Sequence, residues 1–485
     1  MNFESLKNIA YLPKRFPAVL IGIVSATLIF NILIETQLIG ETSGDLDQAT
    51  FMFKLFASVA VSTVAFLAIG LTLERRKNKD TALAVFSYLV SFGFISAVTF
   101  WLFREVEYPA ESMRRFSYYS LLTNLISVGL FTGPFLMIKV KDSRYWYYVV
   151  SLIRSFFIGY IFAALATGAL FLLLALTLGL LGIDFSGNFT ARISMYLLTL
   201  GTLTGTALFL NWIPENFQEH DADVHSQRFL IKLNQIITLP FLSIYSFILI
   251  LFAIRVIVDE TPENTLTPAS SAFIGAYLFY AYTMYPLLFE EGNKWFKKSI
   301  RVLGIVGIIP LIMFIVGLMI RINEFGITAS RFNYVLIWVT AIFAFVQLQL
   351  HKKISLKFLP IFNFLLLAFF ILVPYFNMFS VSERSQSNRL VELLEDADLI
   401  KDGEINTNKR FPEPEAYRYD SYKYNEGTYY ELSAQFDYLS SNHNLYVLKE
   451  YMTDDQWDSL DVSDKGYVNE YGYYNVWENF KDLYR

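Results

Sequence analysis

Apolar runs of about 18–25 residues recur along this chain, and they constrain its fold more than any other feature. A helix crossing a hydrocarbon core of about 30 Å needs roughly 20 such residues. A water-soluble domain has no use for so many. Candidate spans lie near 17–36, 51–73, 81–103, 117–138, 149–181, 190–211, 235–257, 269–289, 301–321, 332–350 and 356–377. Only 17% of the 485 residues are charged, against roughly 25% in an ordinary soluble domain. The pattern predicts a mainly α fold: a polytopic transmembrane helix bundle of about eleven spans. The first run is followed by "IETQLIGETSGD" rather than a small-residue cleavage pattern, so it reads as a retained helix. The fifth is too long for a perpendicular helix, and its first turns are expected along the interface, with Arg154 reaching outward. The gaps 182–189 and 351–355 are short, and a re-entrant pair there would change the count.

Basic residues alternate from loop to loop. With a cytoplasmic N-terminus, nineteen fall on the cytoplasmic side, among them Lys14, Arg15, Arg75, Arg76, Lys297, Lys298, Lys352 and Lys353. Eight, including Arg192, Arg255, Arg321 and Arg331, fall outside. This bias orients the bundle, and an odd number of spans puts the C-terminal segment outside the cytoplasm.

That segment differs in composition. Residues 378–485 carry 22 acidic and 11 basic side chains and 14 of the 31 tyrosines. The expected division is a transmembrane bundle over 1–378 and an acidic, Tyr-rich extracytoplasmic α+β domain over 379–485. Ser380 and Glu383 have capping-box spacing and open a helix to about Leu399, stopped by the Asp402-Gly403 pair. The alternation of "RFPEPEAYRYDSYKYNEGTYYELS" (410–433) predicts half-buried strand, followed by a short helix over 431–444. A third helix is expected to be capped by Thr453 with Gln456.

Residues with catalytic or ligand chemistry are sparse. Cysteine is absent, which removes disulfides and thiolate metal sites. Glu35, Arg154, Arg255 and Glu290 lie near span ends, and mid-span polarity is limited to residues such as Asn124, Thr199, Thr202 and Gln347, which join helix to helix. "GTLTG" (201–205) and "ALATG" (164–168) have small-x-x-x-small spacing, expected to pack within the bundle. "EHDADVH" (219–225) spaces its histidines five apart, on different helix faces, and reads as a solvated loop rather than a zinc site. "EEGNKWFKK" (290–298) combines Trp295 with lysines, as interfacial anchors do. No catalytic set, cofactor site, metal site or nucleic-acid surface assembles from these residues.

One loop is unusually charged. "INEFGITASRF" (322–332) follows Arg321 between two apolar runs and gathers Glu324, Gly326, Thr328 and Arg331. Capping and snorkelling explain these singly: Gly326 ends one helix, Thr328 or Ser330 caps the next, and the arginines reach headgroups.

Together, "RINEFGITASRF" (321–332), "YTMYPLLFEEGNKW" (282–295), the Leu-Pro-containing span at 230–258, "FSVSERSQSNRLVELLEDADLIKDGEI" (379–405) and "SAQFDYL" (433–439) are similar to motifs of the domain-of-unknown-function 4153 family. The resemblance implies a bacterial multi-pass inner-membrane protein without an assigned activity, and it brings no catalytic residues. It also pairs the charged loop with the Ser/Gln segment. Arg321, Glu324 and Arg331 are therefore expected to dock against Ser382, Ser385, Gln386 and Arg389 and fix the outer domain to the bundle. The expected role is non-enzymatic, with the outer domain sensing or binding an anionic lipid, glycan or envelope protein. The alternatives are a transporter or lipid flippase with a polar cavity and, third, a membrane-embedded enzyme.

Overall fold

The structure, a computed structural model, describes residues 11–39, 46–75, 81–103, 109–136, 141–180, 188–214, 228–259, 265–289, 294–412, 428–442, 445–462 and 473–484. A helical turn, Leu12–Arg15, leads into α1 (Pro17–Ile39), α2 (Leu46–Arg75), α3 (Thr81–Leu102), α4 (Pro109–Thr132), α5 (Asp142–Leu180) and α6 (Asn188–Asn211). A second turn, Arg228–Leu233, and a π-helical segment, Asn234–Thr238, precede α7 (Leu239–Asp259). Then come α8 (Leu266–Thr283), α9 (Lys294–Val306), α10 (Ile308–Phe325), α11 (Ala329–Gln349) and α12 (Phe358–Leu372).

Among the described residues, eight helical segments are long and apolar enough to cross a membrane. They are Pro17–Glu35, Thr50–Arg75, Thr81–Leu102, Asp142–Leu180, Arg192–Asn211, Ile231–Val258, Lys294–Phe325 and Ala329–Gln349. The other three expected spans also fall on helices, namely α4, α8 and α12. Two of these have plain reasons for falling short. Helix α12 has 15 residues. Helix α8 has Phe273, Tyr277, Tyr280 and Ala281 fully buried in the bundle core, and a helix with one face hidden from lipid has no need of a uniformly apolar surface. Helix α5 runs unbroken for 39 residues, about 58 Å, and Arg154 is exposed on it.

Close backbone approach explains part of the packing. Helices α5 and α6 meet at Gly159 and Gly205, where a Cβ on Gly159 would lie 2.8 Å from the Phe209 nitrogen. Gly201 faces Thr167 of α5, so the 201–205 motif packs inside the bundle, while Gly168 of the 164–168 motif faces open space.

Polar contacts clasp the ends and middle of α1. Arg15, 8% exposed, pairs with Glu74 at 3.0 Å and donates to the Ile213 and Pro214 carbonyls at 2.7 and 2.8 Å. Asn31 and Thr199 donate to each other at 2.9 and 3.1 Å, and Arg192 pairs with Glu35 at 3.5 Å. Inter-helix hydrogen bonds of this kind average about 0.6 kcal/mol, with a maximum near 1.7. A double-mutant cycle on Asn31→Ala and Thr199→Ala is expected to return a coupling within that range by thermal unfolding in micelles. Strictly additive effects would show that the reciprocal pair contributes nothing to stability.

After α12 the chain turns into α13 (Met378–Asp396), a hairpin of β1 (Ile400–Lys401) and β2 (Glu404–Ile405), α14 (Thr428–Asn442), α15 (Tyr446–Lys449), α16 (Asp454–Ser459) and α17 (Tyr473–Asp482). These elements bury their own apolar cluster, built around Leu394, Leu399, Leu432, Phe436, Leu439, Trp477 and Phe480. A smaller cluster of Phe332, Leu336, Ile371, Met378 and Phe379 joins α11, α12 and α13.

Three local expectations for this segment change. Helix α13 begins before Ser380, because Asn377 is its N-cap and accepts from the Ser380 nitrogen at 2.8 Å. It ends at Asp396, and Asp402-Gly403, both at positive φ, instead turns the β1–β2 hairpin. Of the strand expected over 410–433, residues 413–427 lie outside the described residues and 428–432 are helical. Thr453 and Gln456 do form the capping box that their spacing predicts.

Candidate functional site

The loop between α10 and α11 is built around Gly326. Its backbone sits at φ 70°, ψ 179°, a region essentially confined to glycine. Thr328 caps α11 by accepting from the Arg331 nitrogen at 3.3 Å. The Arg331 guanidinium folds back over the loop, donating to the Phe325 and Gly326 carbonyls at 3.0 and 2.7 Å. It also lies 5.4 Å from the Phe325 ring centroid.

Helix α13 meets the loop through side chains that bond to backbone. Ser385 Oγ accepts from the Ile327 nitrogen at 2.8 Å. Gln386 Nε2 donates to the Phe325 and Ile327 carbonyls, both at 3.1 Å. Gln386 and Ser382 are buried. Their periodicity explains why: Ser382, Ser385, Gln386 and Arg389 recur at three and four residues, along one helix face.

The expected site residues therefore divide. Gly326, Thr328, Arg331, Ser382, Ser385 and Gln386 come together, with Arg331 serving the loop's own carbonyls. Glu324 is exposed. Arg389 turns to Glu392 at 2.9 Å and Glu431 at 3.5 Å, both in the C-terminal segment. Arg321 is half-buried at the end of α10.

Two residues on α14 complete the contact and were not singled out from sequence. Tyr438 shares a 2.9 Å hydrogen bond with Ser382, and its hydroxyl accepts from the Ala329 nitrogen at 3.3 Å. Gln435 Nε2 donates to the Gln386 carbonyl at 3.1 Å. Their three-residue spacing within "SAQFDYL" was the available signal. The arrangement is a clasp, in which hydroxyls and amides hold loop backbone and the hydroxyls of Ser382 and Ser385 are both engaged in it.

A second polar cluster lies at the opposite end of α11. The Asp142 carboxylate, at the start of α5, accepts from Ser355 Oγ, from the Leu356 nitrogen at 3.2 Å and from Tyr285 at 3.2 Å. Fully buried Gln347 links to it, donating to the Ser355 carbonyl at 2.8 Å and accepting from Tyr282 at 2.8 Å. Trp146 donates to the Tyr282 carbonyl at 2.6 Å. Beside it, burial holds the His351 imidazole below its ordinary pKa; the Leu348 carbonyl opposes that shift, and Lys352 and Lys297 reinforce it.

Among the described residues no group of three or more His, Asp or Glu could hold a metal ion. The 219–225 loop lies outside them.

Membrane-length apolar helices and a C-terminal segment fastened to one inter-helix loop define a multi-pass helical membrane protein. The profile described as "Domain of unknown function (DUF4153)" matches residues 46–402, so the chain belongs to that family. No curated protein and no solved structure matches the chain.

Proposed function

We propose that this is an inner-membrane protein of about eleven passes, with its N-terminus in the cytoplasm and residues 379–485 outside it. In this reading the outer segment is non-enzymatic and binds or senses a ligand at the envelope face: an anionic lipid, a glycan or another protein. One observation carries the proposal. The segment is hydrogen-bonded to the backbone of the loop that joins α10 and α11, so a displacement of α13 is transmitted directly to two bundle helices. The loop-by-loop bias of basic residues supports the orientation.

A transporter reading draws on the polar seam between α1 and α6. The Asn31, Thr199, Glu35 and Arg192 side chains there bond to each other, which is how helices are glued together, and this favours the first reading.

The absence of cysteine gives a clean test of orientation. A single Asp402→Cys, at the exposed hairpin tip, is expected to react with a membrane-impermeant maleimide in intact spheroplasts. Lys353→Cys is expected to react only in inverted vesicles. The reverse pattern would overturn the orientation. Native purification with mass spectrometry then tests binding: recovery of neither lipid nor envelope component would remove the sensing reading.

A further inference from the structure

Helices α9 and α10 are separated by Gly307 alone and together form one 32-residue segment, about 48 Å long. That exceeds a hydrocarbon core of about 30 Å, so one end must lie beyond the acyl chains. One face of the segment identifies that end. The exposed side chains recur at helical spacing as Lys294, Lys298, Arg301, Val302, Ile305, Ile308, Ile312, Val316 and Met319. The first three are cations and the remaining six are apolar, with the change falling between Arg301 and Val302. From Val302 to Met319 the apolar part rises about 26 Å, close to the thickness of the hydrocarbon. A lipid-facing stripe that switches from apolar to cationic at one hydrocarbon boundary places those cations at the level of the phosphates.

The opposite face of α9 is fixed in the bundle. Phe296, Ile300 and Leu303 are buried. Tyr277 donates to the Ile300 carbonyl at 3.1 Å, and Tyr280 bonds Ser299 at 2.8 Å. The basic face is therefore held outward. The turn after α11 adds exposed Lys352 and Lys353, brought beside α9 by Gln349, which donates to the Ile300 carbonyl at 3.5 Å. Neither 294–306 nor 349–358 contains a carboxylate, though Glu290 and Glu291 precede α9. Asp142, near the turn, accepts from Ser355, Leu356 and Tyr285.

We propose that Lys294, Lys298 and Arg301, with Lys352 and Lys353, form a site for the headgroup of an anionic phospholipid at this surface of the bundle. Its occupant is a lipid rather than a free anion, because the cations continue directly into an apolar stripe that the acyl chains of the same molecule would cover.

The test uses the full-length protein in detergent, offered equal amounts of phosphatidylglycerol and phosphatidylcholine and read by native mass spectrometry. Each cation near an anionic headgroup is worth roughly fivefold in affinity. The native protein is expected to retain phosphatidylglycerol at least fivefold over phosphatidylcholine. The triple variant Lys294→Gln, Lys298→Gln, Arg301→Gln is expected to lose that preference. The Lys401→Gln, Lys409→Gln pair, in the C-terminal segment, is expected to keep it. Thermal stability of the native protein, raised by phosphatidylglycerol more than by phosphatidylcholine, gives a reading that needs no variant. Equal retention of the two lipids, or a preference that survives the triple variant, would overturn the site. Displacement of phosphatidylglycerol by inorganic phosphate alone would overturn the assignment of a lipid.

Discussion

Gly326→Ala is expected to release the C-terminal segment from the bundle and to lower its stability by about 2–6 kcal/mol, the sum of a backbone and a packing effect. At φ 70°, ψ 179° an alanine incurs strain of about 1–3 kcal/mol. The added Cβ would also stand 2.6 Å from Gln386 Nε2, a separation that forces the amide away. Gln386 would then lose its bonds to the Phe325 and Ile327 carbonyls, at about 0.5–1.5 kcal/mol each. Limited proteolysis of the purified protein checks this: residues 379–485 should be cut much faster than in the native chain, with α1–α12 still folded. Ser385→Ala, which removes only the acceptor for Ile327, should fall between the two. Unchanged protease resistance in Gly326→Ala would show that the clasp does not hold the segment in place. Arg331→Ala tests the loop from the other side, since it removes the guanidinium from the Phe325 and Gly326 carbonyls without adding a steric clash.

The residues that build this clasp also show how far sequence reaches. Apolar runs reveal membrane-length helices because lipid exposure demands a continuous apolar surface, so α1, α2, α5, α7 and α10 are plain in composition. Helix α8 is less plain because Tyr277 and Tyr280 are sequestered at the centre of the bundle, where neighbouring helices replace lipid. The charged loop and the Ser/Gln segment could be paired from their resemblance to family motifs. The bonds themselves were not legible, because Ser385 and Gln386 recognise backbone N–H and C=O groups that every residue carries. Charge therefore pointed to Arg321, Glu324 and Arg389, although Arg389 closes onto Glu392 and Glu431 instead. At 428–432 the closely spaced tyrosines suggested a two-residue period. Leu432, Phe436 and Leu439, four and three residues apart, carry the helical repeat that buries α14.

Asp142→Ala is expected to be the most damaging single change at the other end of the bundle, lowering stability by about 3–5 kcal/mol, because it orphans several part-buried donors at once. The carboxylate receives Ser355 Oγ, the Leu356 nitrogen and the Tyr285 hydroxyl. It thereby fixes the turn after α11 and the chain after α8 to the start of α5. No local pattern announces this role, since its partners lie 143 to 214 residues away. Hydrogen bonds to a charged acceptor contribute about 1.5–3 kcal/mol each, and three within one cluster do not add in full. Asp142→Asn separates charge from shape. Its single oxygen still accepts, but its amide nitrogen faces a donor, so a smaller loss of about 1–3 kcal/mol is expected. Tyr285→Phe should be milder again, near 1 kcal/mol, because it removes one donor and leaves the other two in place. Thermal unfolding of the purified proteins in one detergent should rank them native, Tyr285→Phe, Asp142→Asn, Asp142→Ala, from most to least stable. If Asp142→Ala instead unfolded with the native protein, the carboxylate would be a passive neighbour of these donors, and the turn at Ser355 would be held by Gln347 and its own backbone bonds.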